Sequence, residues 1–496
     1  MHTPHIAPTL ATQTIALPRA KVGVFGIGLA AYWPQFDGLK ERLEGYQREV
    51  EAHLAGFGAE VVSAGLVDNA PAAMAAGDLF AQANVDLIIC YVGTYATSSQ
   101  VLPAVQRVKK PVLVLNLQPS ASLDYANIDT GEWLANCCAC CVPEISNAFA
   151  RCRIDFNVVS GQLQPESPAG AKAWATIADW VRAAGVMRAL NHSRIGFLGH
   201  TYPGMLDLYS DNTMIQAQTG AHVEMLEMDD LEQRVNAVSA AQLQAKEHEI
   251  RDTFEFAQQG RDKISMPVSP VSLTWSARVA CGLDALVKDF DLQGLTYYHR
   301  GIDGNIFEQL GAALIVGNSL LTARGVPCAG EGDLKTCLSM FILDRFGAGG
   351  SFTEFYAMDF NENFVLMGHD GPMHIAISEG KPVLRGLGLF HGKRGYGLSV
   401  EAKVKYGPIT ILGTTQTADG KLKFLVAEGE AIPGQTFQIG NTNSRLKFSL
   451  GPAEFMDTWC THGPTHHVAL GIGHLRSKLD KLARMMDIEI VLVAGG

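Results

Sequence analysis

The 496-residue chain is expected to be an α/β protein in which two doubly wound parallel-sheet domains are followed by an antiparallel β-barrel. Three observations lead there. Short apolar runs alternate with helix-period segments between Lys21 and Asn116, the alternation restarts at Ser193 and continues to His299, and beyond Gly347 the chain becomes strand-rich with frequent Gly, Pro and Asn turns. A chain this long exceeds what one hydrophobic core supports. The expected division is residues 1–165, 166–346 and 347–496, the last a barrel with a terminal helix.

Taken in order, Lys21 to Gly28 is an apolar run ending in glycines, as a parallel strand entering a loop would be. Leu39 to Phe57 is charged, has helical period and closes at Gly58. Ala59 to Ala64 reads as a second strand, and Pro71 to Ala83 as an Ala-rich helix with proline at its first position. Val85 to Val92 is a third strand, Ser98 to Lys109 a helix, and Pro111 to Asn116 a fourth strand. The second alternation begins after Pro165–Pro168. Ser193 to His200 and Ala221 to Leu226 read as strands, Met228 to Gly260 as one long polar helix, Ser272 to Phe290 as an amphipathic helix, and Gly294 to His299 as a strand. Between Phe352 and Ser449, runs such as Lys421 to Ala427 alternate with period two and predict antiparallel strands. Leu470 to Met486 reads as helix, and Ile488 to Ala494 as a final strand.

Composition narrows the function classes. The chain is 47% hydrophobic and 18% charged, with mean hydropathy +0.09, as in a well-buried globular protein. A net charge of −11 argues against nucleic acid or an anionic membrane as partner. The longest apolar run, Val85 to Val92, has strand length, so no membrane span is expected. Met1 to Ala20 lacks a basic region followed by an apolar one and reads as a loose arm, not a signal peptide; a cytoplasmic location is expected. The ten cysteines are then expected to be reduced, and Cys137-Cys138-Ala139-Cys140-Cys141 to be small packed residues; zinc sites pair Cys-x2-Cys motifs from two separate places.

Gly26-Ile27-Gly28 does not make a dinucleotide fingerprint, because Ala31 holds the third glycine position and no matching acid ends the second strand. The chemistry points instead to the last third of the chain. Glu331, Glu354, His369 and His467 each lie in a Gly-rich or turn-like context, where side chains are presented at element ends. Two carboxylates and two imidazoles suit a divalent ion of the manganese, cobalt or magnesium class, with positions left open for substrate oxygens. Taken singly, each residue reads as structural: Glu331, followed by Asp333, suits a helix N-terminus.

Read jointly, their contexts resemble the L-arabinose isomerase family and, more loosely, the L-fucose isomerase group. Ala329 to Thr336 resembles the family's Gly-Glu-Gly-Asp-Trp-Lys-Thr segment, with Leu334 at the Trp position. Gly349 to Glu354 resembles Gly-Gly-Thr-Ser-Phe-Met-Glu, Val365 to His369 resembles Val-Leu-Gly-Ser-His, and Gly463 to His467 resembles Gly-Gly-Ala-His-His. The resemblance implies two α/β domains and a β-barrel. It also implies a hexamer with shared active sites, and an ion, usually manganese, held by Glu331, Glu354, His369 and His467. The two glutamates would double as proton-transfer groups in aldose–ketose isomerisation through a cis-enediol. At the first strand end the family's Gln-x-Leu-Tyr-Gly is replaced by Ala30-Ala31-Tyr32-Trp33-Pro34, and after the fourth strand Leu115 to Pro119 replaces a His-containing segment. The resemblance thus covers the metal-binding groups and leaves the sugar unspecified. Tyr32, Asn116, Gln118 and His466 are the expected sugar contacts. His200, Tyr202, Asp207, His299 and Arg300 are further strand-end residues. No Gly-rich phosphate loop bearing Lys or Arg is found, so an unphosphorylated sugar is expected. Epimerisation on the same chemistry, or non-catalytic sugar binding, are the competing readings.

Overall fold

Apolar runs that lack period-two alternation become the inner strands of a parallel sheet, because helices cover both faces. In the computed structural model, which describes residues 17–261, 263–300, 304–370, 372–387 and 397–495, the first such sheet has five strands. They are β1 (Lys21–Ile27), β2 (Glu60–Val67), β3 (Leu87–Val92), β4 (Val112–Gln118) and β5 (Phe156–Gln162), in spatial order β2-β1-β3-β4-β5 and parallel throughout. Every residue of β3 is buried, as its central place requires. The helix Leu39–Gly56 buries Leu39, Leu43, Gln47, Val50 and Leu54, one stripe of an otherwise charged segment. Of the expected N-terminal arm, residues 1–16 lie outside the described residues.

The second sheet is also parallel, in order β11-β10-β6-β7, from β6 (Arg194–Gly199), β7 (His222–Leu226), β10 (Gly294–Tyr298) and β11 (Cys328–Ala329). Beside it lies a small sheet of β8 (Glu255–Phe256), β9 (Ser265–Met266), β14 (Val383–Leu387) and β15 (Gly397–Glu401). The barrel is closed and antiparallel. Its strands are β12 (Ser351–Asp359), β13 (Phe364–His369), β16 (Gly407–Gln416), β17 (Leu422–Ile432), β18 (Thr442–Phe448) and β19 (His467–Ile472). They run β16-β19-β12-β13-β18-β17 and close through β17–β16 pairing; β20 (Glu489–Ala494) adds in parallel to β17. Closure leaves no unpaired edge in the ring. Buried Ile411, Leu425, Leu446, Phe455, Trp459 and Val468 share one apolar core, in which Phe448 stacks on Phe455 at 3.9 Å.

The expected fold class is therefore the observed one, with local corrections. Met228 to Gly260 is not one helix: Met228–Asn236 and Ala240–Thr253 are separated at Ser239, whose hydroxyl caps the second helix in a box with Gln242. Ser98 to Lys109 shortens to a 3-10 turn and Leu102–Gln106. Leu470 belongs to β19, and the helix begins only at Arg476, after Gly473 at φ +87°. Strand β5 was not expected; its residues alternate in exposure and lack an apolar run. Val383–Leu387 and Gly397–Glu401 contribute to the small sheet and not to the barrel. Cys137, Cys138 and Cys141 are buried as expected, whereas Cys140 is exposed.

Contacts divide the chain into two units. One holds Pro18–Ala189 with Ser477–Met486, so nearly all of the helix Arg476–Met485 groups with the unit that contains the first sheet, its Ser477 and Lys478 meeting Asp179; the other holds Leu190–Arg476 with Asp487–Gly496. Among the described residues no single helix is long and apolar enough to cross a membrane.

Candidate functional site

The second unit gathers four of the expected residues at one end of the barrel and the adjoining sheet. Glu354, on β12, is the register partner of His467, the first residue of β19. On its other side Glu354 pairs with Gly368, next to His369, the last residue of β13. Ligand atoms of Glu354, His369 and His467 all lie within 4.8 Å of one another. Phe352, two residues before Glu354 and buried, fixes both rings: its centroid is 4.6 Å from His369 and 4.3 Å from His467.

Glu331 arrives from the parallel sheet, in the loop between β11 and the helix Leu334–Arg345. Its Oε2 is 3.7 Å from His467 Nε2 and 4.0 Å from His466 Nε2. His467 thus joins two overlapping groups, one with Glu354 and His369 and one with Glu331 and His466. The loop is conformationally costly. Glu331 sits at φ +61°, a region L-residues enter at a cost of roughly 1–2 kcal/mol. Gly332 follows at φ +69°, where a Cβ would lie 2.6 Å from the His200 carbonyl oxygen. Backbone bonds hold the shape: Tyr202 N–H donates to the Glu331 carbonyl (2.9 Å) and Gly332 N–H to the Tyr297 carbonyl (3.0 Å).

Asp333 has two tasks. As N-cap of Leu334–Arg345 it accepts from Thr336 N–H (2.9 Å) and the Thr336 hydroxyl (2.7 Å), and it also accepts from His467 Nδ1 at 3.1 Å. Burial alone would push the Asp333 carboxyl up, but the bond from His467 and the charge of Lys335 hold it below its ordinary range. Burial keeps the His467 imidazole pKa below the ordinary value, against the pull of Asp333. A neutral ring with its Nδ1 proton on Asp333 carries its lone pair on Nε2. That atom is buried and hydrogen-bonds to no described residue. A buried acceptor in this state, ringed by carboxylates and a second imidazole, fits a divalent cation.

His466 is held differently. Asp207 Oδ2 accepts from both its backbone N–H (2.9 Å) and its ring Nδ1 (2.6 Å). Burial opposes this charge pair on both sides, yet the contact holds Asp207 well below the usual carboxylate range and raises His466. Glu354 shifts the other way: burial, reinforced by Asp370, raises it to about 7.

Of the other expected residues, His200, Tyr202 and His299 lie at the carboxyl ends of β6 and β10, with Tyr202 4.5 Å and His200 5.2 Å from Tyr298 between ring centroids. Arg300 is exposed. Tyr32, Asn116 and Gln118 belong to the other unit. There Tyr32 meets Phe36 edge-on at 6.2 Å, Asn116 donates to Ser160 Oγ (2.9 Å) and Gln118 to the Ser120 carbonyl (2.6 Å). Sequence reasoning passed over Phe352 and Lys335, and saw in Asp333 only a first-turn acid. The Asp-x-x-Thr spacing marks its cap, but nothing local marks its bond to a histidine 134 residues away.

Two parallel α/β sheets, a closed barrel and this carboxylate–imidazole cluster are the parts expected of a sugar isomerase, and comparison with known proteins agrees. Residues 209–349 match the family model described as L-arabinose isomerase central domain, and residues 385–493 that of L-fucose isomerase, C-terminal domain. Curated relatives include the L-arabinose isomerase of Nocardioides sp., 24% identical over 82% of this chain and 80% of that protein. Those of Shouchella clausii (22%; 84% of each chain) and Aeromonas salmonicida (26%; 82% and 80%) are similar in the same way. The chain belongs to the L-arabinose isomerase family of sugar isomerases, with its L-fucose isomerase-like C-terminal domain.

Proposed function

We propose that the protein is a divalent-metal-dependent aldose–ketose isomerase that moves a proton between C1 and C2 of an unphosphorylated sugar through a cis-enediol. The observation that carries this is the convergence of Glu331, Glu354 and His369 on His467, whose buried Nε2 has its opposite nitrogen committed to Asp333. Glu331, Glu354, His369 and His467 would hold the ion, with manganese the first candidate and cobalt or magnesium the alternatives. When bound, the ion supplies Lewis-acid polarisation of the sugar carbonyl and charge neutralisation.

The protein's own groups move the protons. Glu354, raised to about 7 by burial, is suited to exchange a proton near neutral pH. Glu331, which meets the same His467 from the loop after β11, is the second candidate for the hydroxyl proton. Phe352 excludes water from the imidazole side. His466 would contact sugar; Tyr32, Asn116 and Gln118 are also proposed as sugar-binding residues. Three domains at 1–165, 166–346 and 347–496 and a cytoplasmic location, both on the sequence pattern, and a homo-hexamer, on family likeness, complete the proposal.

The test is a panel of aldoses with the manganese-loaded protein in D2O. Ketose carrying solvent deuterium is the expected product. Epimeric aldose would redirect the reading to an epimerase, and sugar binding without turnover or exchange would refute catalysis.

A further inference from the structure

The turn that opens the helix Leu334–Arg345 presents charged side chains at three alternate positions, two of them to the site. Glu331 reaches it directly, and Asp333 holds His467. Lys335 points elsewhere: it is 1% exposed, and its Nζ donates to Ser210 Oγ (2.8 Å) and to the carbonyls of Leu208 (3.1 Å) and Tyr209 (3.2 Å). Burying an ammonium is costly unless its protons are bonded, and here three acceptors bond them. All three belong to Leu208–Ser210, the stretch leaving the 3-10 turn Leu206–Leu208 that carries Asp207; Leu208 is buried, whereas Leu206 and Tyr209 on either side of it are exposed. Leu208 is its one apolar anchor, and Lys335 adds a polar one, without which so short a segment opens more readily. The carboxylate it carries grips His466 at both backbone and ring, and His466 Nε2 is 4.0 Å from Glu331.

We infer that Lys335 and Asp207 are positioning residues for His466: Lys335 tethers the 206–210 turn, and Asp207 on that turn aims the imidazole at the space beside Glu331. One helix start thereby sets both members of the His466–His467 pair, each through a carboxylate. The effect on turnover rests on the isomerase reading; the tether does not.

Two experiments decide it. In the metal-free protein, hydrogen–deuterium exchange over residues 204–212 is expected to speed up in Lys335→Met and in the milder Ser210→Ala. Exchange at the His466 amide is expected to speed up in Asp207→Asn. Wild-type exchange at these places overturns the tether, whatever the protein catalyses. In the manganese-loaded protein, Asp207→Asn is expected to lower kcat/KM by about 10- to 100-fold, the scale of a misplaced catalytic-site group. In a His466→Gln background the same change is expected to cost less than about twofold, because coupled residues are non-additive. Equal losses in both backgrounds overturn the inference. A wild type inert on every sugar refutes the proposed function and leaves the exchange result to decide the tether.

Discussion

Asp333 accepts a hydrogen bond from His467 Nδ1 at 3.1 Å, with both side chains fully buried and 134 residues apart in sequence. The same carboxylate caps a helix. The start of the helix Leu334–Arg345 and the tautomer of His467 are therefore supported by one group. A carboxylate behind a histidine fixes the ring and raises its basicity as a ligand.

Removing that support is expected to weaken metal binding while sparing the direct ligands. Asp333→Asn, which keeps much of the cap, should lose about 10- to 100-fold in manganese affinity. Calorimetric titration of metal-free protein measures it; unchanged affinity would assign Asp333 to the helix alone.

Glu354→Gln is expected to lower kcat by about 100- to 10,000-fold, the range for a lost proton-transfer group. Circular dichroism should remain that of the wild type, since Glu354 lies on a strand whose ladder to β13 and β19 is made by backbone. Near-normal turnover would remove Glu354 from the proton path.

The pH dependence follows from the same residue. Its ordinary value of 4.5 is raised to about 7 by burial, so between these pH values the folded metal-free protein keeps a proton that the unfolded chain has released. The contribution of Glu354 to stability is then present at low pH and falls as pH rises from about 4.5 to about 7. With Glu354 as a proposed ligand, its carboxylate form is the one that would hold manganese, so affinity should rise over the approach to pH 7 and level off above it. Denaturant melts and titrations across pH 5–8 check both trends, and Glu354→Gln should flatten the stability trend.

Backbone strain at Glu331 gives a prediction of opposite signs. Glu331→Gly should relieve about 1 kcal/mol of left-handed strain and raise the melting temperature of metal-free protein, while abolishing turnover. Gly332→Ala should do the reverse to stability, losing about 2 kcal/mol or more, because its Cβ would meet the His200 carbonyl and Thr201 at 2.6 Å. Thermal melts of the two variants side by side test the pair.

Much of this architecture is legible in the chain because burial writes periodicity. Strand β3 is apolar throughout and was placed at once, whereas β5, at the sheet edge with Val158 40% exposed, left no comparable run. The break at Ser239 was missed because helical composition continues through it; only its capping box with Gln242 marks the stop. Site residues on glycine-bracketed turns were found for a related reason. Glu331 needs Gly332 behind it, and such glycines stand out. The supporting residues were hidden. Asp207 is legible as a strand-end residue but not as the partner of His466, Lys335 looks like a surface charge until the fold brings the 206–210 turn over the helix start, and Phe352 looks like any strand aromatic until two imidazoles pack on it.

The excursion of Ser477–Met486 into the unit otherwise made of Pro18–Ala189 bears on how the molecule can be taken apart. Leu479, Leu482 and Ala483 are buried, and Ser477 Oγ donates to Asp179 at 2.5 Å. A fragment ending near residue 189 would lack a piece of its own interior, and a clone truncated before residue 477 would wound both halves at once. Dissection of this enzyme calls for circular permutation or co-expression with a tail peptide, not for a single cut.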